Sequence, residues 1–160
     1  MIDSPTRVLF LSQRPTGSWH QLQLGPTGEP LPGDPSTWRL QISGECRPQI
    51  VLPEGVSRAE LHINPATSPS PGGRSLPLLI VEWACASGRS PEGRILPPEI
   101  AFGNEGVFVS LTIRNRPGDQ DCQGNPEYPF TLQLSEPLGS RQLFDASLVP
   151  PAPVKPPTTP

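Results

Sequence analysis

Lysine is almost absent from this sequence. All but one of its 12 basic residues are arginine, and 15 acidic residues leave a net charge of −3. The arginines are dispersed, and their tightest grouping, Arg114-Asn115-Arg116, runs straight into Asp119 and Asp121. A chain that binds nucleic acid through phosphates carries a basic face, so nucleic acid is excluded as a partner. Long apolar runs are missing too: the best, Leu76 to Val81, is broken by Pro77, so no transmembrane segment is expected. Met1 to Arg7 shows no basic region followed by a sustained apolar stretch, and Val8 to Leu11 is too short to serve as one. With Met1 as the true start the chain is cytoplasmic; with a leader ahead of it, extracytoplasmic.

Histidine occurs only as His20 and His62, and cysteine only as Cys46, Cys85 and Cys122. No two of these lie two to four residues apart, the spacing of zinc modules, so no metal site is expected. Asp119, Asp121 and Gly124 match the opening of a calcium loop. The position that needs a bidentate glutamate holds Phe130 instead, and the segment reads as a polar turn. There is no Gly-x-Ser-x-Gly elbow and no phosphate-cradling glycine loop, since Gly72-Gly73-Arg74 lacks a strand–helix context. No cofactor is expected. Glu82 falls on the polar face of its strand, and Glu99, Glu105, Glu127 and Glu136 lie in or beside turns, where carboxylates are solvated.

Three cysteines allow one internal disulfide plus a free thiol, or three reduced thiols. Of the three pairings, Cys85–Cys122 is favoured, because both sit at strand ends in the half with the clearest strand signals.

Proline and glycine are plentiful, together a quarter of the chain, and they cut it into short segments. Between them, apolar residues alternate. Arg7 to Ser12, Ser18 to Leu24, Trp38/Leu40/Ile42, Gln49 to Leu52 and Ala59/Leu61/Ile63 read as strands in the first half. Leu79/Val81/Trp83/Cys85, Ile100/Phe102, Val107/Val109/Leu111/Ile113, Phe130/Leu132/Leu134 and Leu143-Phe144 with Leu148-Val149 follow. Proline recurs too often for an ordinary helix. About nine short strands separated by turns predict an all-β fold, an antiparallel β-sandwich immunoglobulin-like in general architecture, with Trp38 and Trp83 in the core. Trp83, two residues before Cys85, takes the part of the tryptophan that packs on a disulfide. The domain spans 1–149 with a candidate sub-boundary at 64–75, rich in Pro, Gly, Ser and Thr. Residues 150–160 form a Pro-rich tail, expected to be disordered and largely polyproline II. Its Pro150-x-x-Pro153-x-Lys155 fits the pattern read by SH3-type grooves, though a spacer explains it as well.

Among the aromatic residues, Tyr128, between turn residues, is the best candidate for an exposed ring, followed by Trp19. Tyr128, Trp19 and the Gly124-Asn125 turn are therefore the candidate binding residues.

The run Cys122-Gln-Gly-Asn-Pro, Pro129-Phe-Thr-Leu-Gln-Leu, Glu136-Pro-Leu-Gly, Arg141, Leu143 and Asp145 resembles a C-terminal segment of small uncharacterised bacterial proteins, many of them exported. The resemblance covers about 24 of 160 residues and carries no activity and no site residue. It implies a bacterial β-domain and favours an extracytoplasmic setting. The function expected is a non-enzymatic binding or structural module at the cell envelope, meeting a protein or surface ligand. The alternatives are a loop-built hydrolase using His20 or His62, and a cysteine-based redox or metal module.

Overall fold

The computed structural model describes residues 2–4, 7–15, 18–26, 38–67, 70, 72–104 and 106–157. Among these there is no helix, and hence none long and apolar enough to cross a membrane. The chain forms two compact units, Met1–Pro48 and Gln49–Pro160.

The first unit is a four-stranded antiparallel meander: β1 (Ile2–Ser4), β2 (Arg7–Gln13), β3 (Trp19–Pro26) and β4 (Trp38–Cys46). A bulge interrupts the β3–β4 pairing. Gln23 lies opposite Ile42 and Leu24 opposite Leu40, so Gln41 is the extra residue. Neighbouring β3 residues point to opposite faces, and so do their partners Leu40 and Ile42. The single apolar face expected from Trp38/Leu40/Ile42 is thereby split, and both Leu40 and Ile42 are exposed. The Trp38 side chain lies outside the described residues. Gln41 folds over Gly25, its amide 2.3 Å from where a Cβ would stand, so a larger residue there would displace this flexible side chain.

The second unit holds two sheets. One has the order β10 (Tyr128–Gln133), β6 (Ser75–Glu82), β5 (Val56–Ile63), β9 (Thr112–Arg114); the other β12 (Ala152–Pro153), β11 (Gln142–Asp145), β8 (Gly106–Ser110), β7 (Glu99–Phe102). All pairs are antiparallel except β8–β11, which is parallel, so the sheets are not purely antiparallel as expected. The regular run from Val107 to Ile113 serves both sheets. It leaves one as β8 and enters the other as β9, with buried Leu111 between them accepting a bond from the Ala59 amide. The two sheets contribute to one apolar core: Ala59, Leu61, Leu76, Leu78, Ile80 and Leu132 from one side, Val107, Val109, Leu143 and Val154 from the other.

Three expectations are corrected here. In β6 the buried positions are Leu76, Leu78, Ile80 and Glu82, not the Leu79/Val81/Trp83 set. Apolar residues occupy both phases of this strand, and pairing chose between them: Leu61 lies opposite Ile80 and Leu132 opposite Leu76, which aims the even-numbered residues at the core. Trp83 is consequently 56% exposed and does not take the buried place of an immunoglobulin-type tryptophan. Gln49 to Leu52 is no strand; it makes one bridge, Gln49 to Leu148, and Val51 is 98% exposed. Separately from these three, residues 64–75, the candidate sub-boundary, run from the end of β5 to the start of its paired neighbour β6.

The tail also departs from expectation. Ala152–Pro153 pairs with β11, the Val154 amide donates to Leu143, and the Ile63 amide donates to Lys155. Residues 152–155 thus link an end of β5 to β11, and Val154 is buried in the shared core. Its SH3-type motif is tied up in this pairing. Proline is tolerated because an edge strand has donors to spare. The same logic admits Pro77 within β6, since β5 pairing stops at Leu78.

Burial of a valine side chain contributes on the order of 2 kcal/mol. Val154→Ala should therefore lower the unfolding free energy in urea by about 1–3 kcal/mol. A variant as stable as the wild type would show that the tail is not part of the core.

Candidate functional site

The second unit concentrates its polar chemistry where β6 ends. Glu82, the last residue of β6, continues the core-facing phase and its side chain is fully buried. A buried carboxylate needs a partner, and Arg94 supplies a bidentate one, with its two terminal nitrogens on the two oxygens of Glu82. Arg94 also donates to the Arg114 and Ser90 carbonyls, and Arg116 donates to Ser90. The pair thereby fixes the 88–98 loop against β9. Nothing in the sequence marked Arg94. Glu82 was legible only in retrospect, as a charge in phase with Leu76, Leu78 and Ile80.

Directly after Glu82, Trp83 is exposed, Ala84 and Cys85 are half-buried and Ala86 is buried. Cys85 is joined to Cys122, with Cα atoms 4.7 Å apart, and Cys46 is free. Ser87, in a left-handed conformation (φ 53°), donates its amide to Asp121 and its hydroxyl to Gln120, and accepts from the Asp121 amide. The Asn125 amide donates to the Glu82 and Ala84 carbonyls at 2.8 and 2.6 Å. Disulfide, Ser87 and Asn125 together staple residues 120–125 to residues 82–87.

The named binding residues fall as follows. Asn125 is spent in this staple. Gly124 is exposed, at φ 84°, a left-handed turn that glycine adopts without strain. Tyr128 lies opposite Ile80 and packs against the core, so it does not stand free. Trp19 is half-buried in the first unit opposite Cys46, its indole nitrogen without a hydrogen-bond partner among the described residues. The exposed ring in the second unit is Trp83.

Trp83 is not a loose side chain. The guanidinium carbon of Arg58 sits 4.0 Å from its ring centroid, a cation–π stack on a residue that is still 56% exposed. The Trp83 amide donates to the Arg58 carbonyl. Arg58 is 2% exposed and lies 3.9 Å from Asp145 at the end of β11. Asp145 accepts from the amide and the hydroxyl of Ser147. Burial pushes its carboxyl above the ordinary aspartate value; the Ser147 bonds and Arg58 pull the other way, and Glu60 adds to the rise.

The two histidines lie in different units. His20 lies on the first unit's sheet, with Arg14 donating to Nδ1 at 3.1 Å and Ser43 Oγ 3.2 Å from Nε2. An arginine can only donate, so Nδ1 is the acceptor and Nε2 carries the proton. His20 then donates to Ser43 and cannot take a proton from it, the reverse of a nucleophile–base pair. His62 lies 4.0 Å from Glu60, its neighbour on the same face of β5. Among the described residues, no group of three or more His, Cys, Asp or Glu is placed to hold a metal ion.

No family model, curated protein or solved structure matches this chain.

Two outcomes follow from this network. The unreduced protein should show one free thiol by thiol titration in denaturant and three after reduction. Closing a loop with a sequence separation of 37, the disulfide stabilises by about 4 kcal/mol on chain-entropy grounds, and Cys85→Ala with Cys122→Ala should lose about 2–4 kcal/mol. Arg94→Met strands the Glu82 carboxylate and should cost about 3–5 kcal/mol in urea unfolding, with Glu82→Gln plus Arg94→Met clearly less damaging than Arg94→Met alone. Additive losses would contradict a buried, mutually dependent pair.

Proposed function

We propose that this chain is a non-enzymatic binding or structural module built on a sandwich-type β-domain, acting outside the cytoplasm at the cell envelope. The observation that carries the reading is Trp83: a large aromatic ring, more than half exposed, backed by a buried arginine and set beside a disulfide-stapled loop pair. Aromatic side chains dominate binding energies because they bury much area with little loss of conformational freedom. A ring already fixed from behind loses still less on binding. The exposed part of Trp83 suits a flat apolar surface on a protein or the face of a sugar ring. The disulfide supports an oxidising compartment, as does the resemblance of the Cys122–Asp145 run to exported bacterial proteins.

The hydrolase reading has one specific observation behind it, the His20–Ser43 contact. The tautomer imposed by Arg14 speaks against it. So does the lack, among the described contacts of His20, of a carboxylate to orient the ring.

Co-sedimentation of the purified protein with isolated bacterial envelopes tests the proposal. Trp83→Ala should weaken binding by about 2 kcal/mol, roughly 30-fold, while Trp19→Phe leaves it unchanged. Equal binding by Trp83→Ala removes Trp83 from the surface that binds, and no binding by the wild type sinks the envelope reading.

A further inference from the structure

Asp145, Arg58 and Trp83 form a chain of contacts from the interior to the surface. Asp145 is 5% exposed, Arg58 2% and Trp83 56%. The links are the 3.9 Å approach of Arg58 to Asp145 and the 4.0 Å stack of Arg58 on Trp83. The three residues come from β11, β5 and the residue after β6, so the chain crosses between the two sheets of the second unit. A guanidinium cannot shed its proton. Arg58 therefore keeps its charge at every accessible pH, and its buried position depends on the charges around it.

We propose that this chain is a proton-driven switch: when Asp145 takes up a proton, Arg58 loses a charge partner, its stack on Trp83 loosens, and the indole is presented differently at the surface. The inference rests on Trp83 being the presented residue.

The surroundings of Asp145 favour such a response. From β5, Arg58 attracts the carboxylate and Glu60 repels it; the following turn contributes the amide and hydroxyl of Ser147. The residues opposite Asp145 on β8 and β12 are Val109 and Ala152, which bring no charge. Further along, His62 lies beside Glu60 and Lys155 lies opposite His62. Desolvation outweighs the stabilising contacts and raises the carboxyl above its ordinary value of 3.8. A raised acid is protonated earlier as pH falls, so the switch turns at milder acidity than an ordinary aspartate would. In the protonated state the Ser147 amide still has an oxygen to bond, while the attraction to Arg58 is gone. Arg58 then keeps its stack on the ring with one charge partner fewer.

The test is the tryptophan emission of the wild type minus that of Trp83→Phe, followed from neutral to mildly acidic pH, with far-UV circular dichroism confirming that the fold persists. The difference signal should show one titration with its midpoint above 3.8, emission moving to longer wavelength and acrylamide quenching increasing on the acid side. Asp145→Asn should abolish the titration and hold Trp83 in its acid-side state. Glu60→Gln should keep the titration but lower its midpoint, and His62→Gln should leave it in place. Arg58→Lys keeps the charge but not the planar stack, and should also lose the response, which covers the case in which Asp145→Asn fails to fold. A flat difference signal, or a titration that survives in Asp145→Asn or Arg58→Lys, overturns the switch. The spectra need no ligand, so this outcome is read separately from the binding of Trp83→Ala to envelopes.

Discussion

The pairing of β6 between β5 and β10 is the constraint on which the rest of the second unit depends. Because β6 is central, its side chains divide strictly between two faces, and its partners on both sides decide which face is core. Leu61 opposite Ile80 and Leu132 opposite Leu76 settle the matter. Everything at the end of the strand follows. Glu82 is carried inward and requires Arg94, Trp83 is carried outward onto Arg58, and Cys85 reaches the loop that holds Cys122. A slip of one residue would bury Trp83 and expose Glu82, reversing the chemistry of that end.

Two arginines, Arg58 buried and Arg94 half-buried, do different work here. Arg94 makes a close bidentate pair with a fully buried carboxylate and also bonds backbone carbonyls, so its charge is balanced and its role is to fix loops. Arg58 meets Asp145 at longer range and spends its planar face on an indole. The first arrangement is rigid because each oxygen has its own donor. The second meets its carboxylate at 3.9 Å, without the two short hydrogen bonds of the first. It is at this looser pair that the interior connects with the exposed ring.

Strand existence was readable wherever one face alone was apolar. Val107, Val109, Leu111 and Ile113 alternate with more polar neighbours and are all buried, and Ala59 and Leu61 behave likewise. Reading failed where both phases were apolar, as in β6, or where an extra residue reset the phase, as at Gln41 in β4. It failed again at the tail, where six prolines in eleven residues suggest a solvated polyproline segment. That composition hides Val154, a single apolar residue that pairing with β11 carries into the core. The candidate site was the least legible part. Arg58, Arg94 and Asp145 lie far apart in the chain, and none of them sits in a recognisable motif.

By itself the sequence determined the class of this protein. Proline and glycine every few residues forbid long helices, and alternation demands sheets. Those properties are local, since they depend on each residue and its near neighbours. Only the tertiary structure decided which side of each sheet is inside, that Glu82 is buried and Trp83 is not, and that the C-terminal segment closes against β11. Such outcomes depend on register between strands distant in sequence, and register is a property of the pairing, absent from any one strand alone.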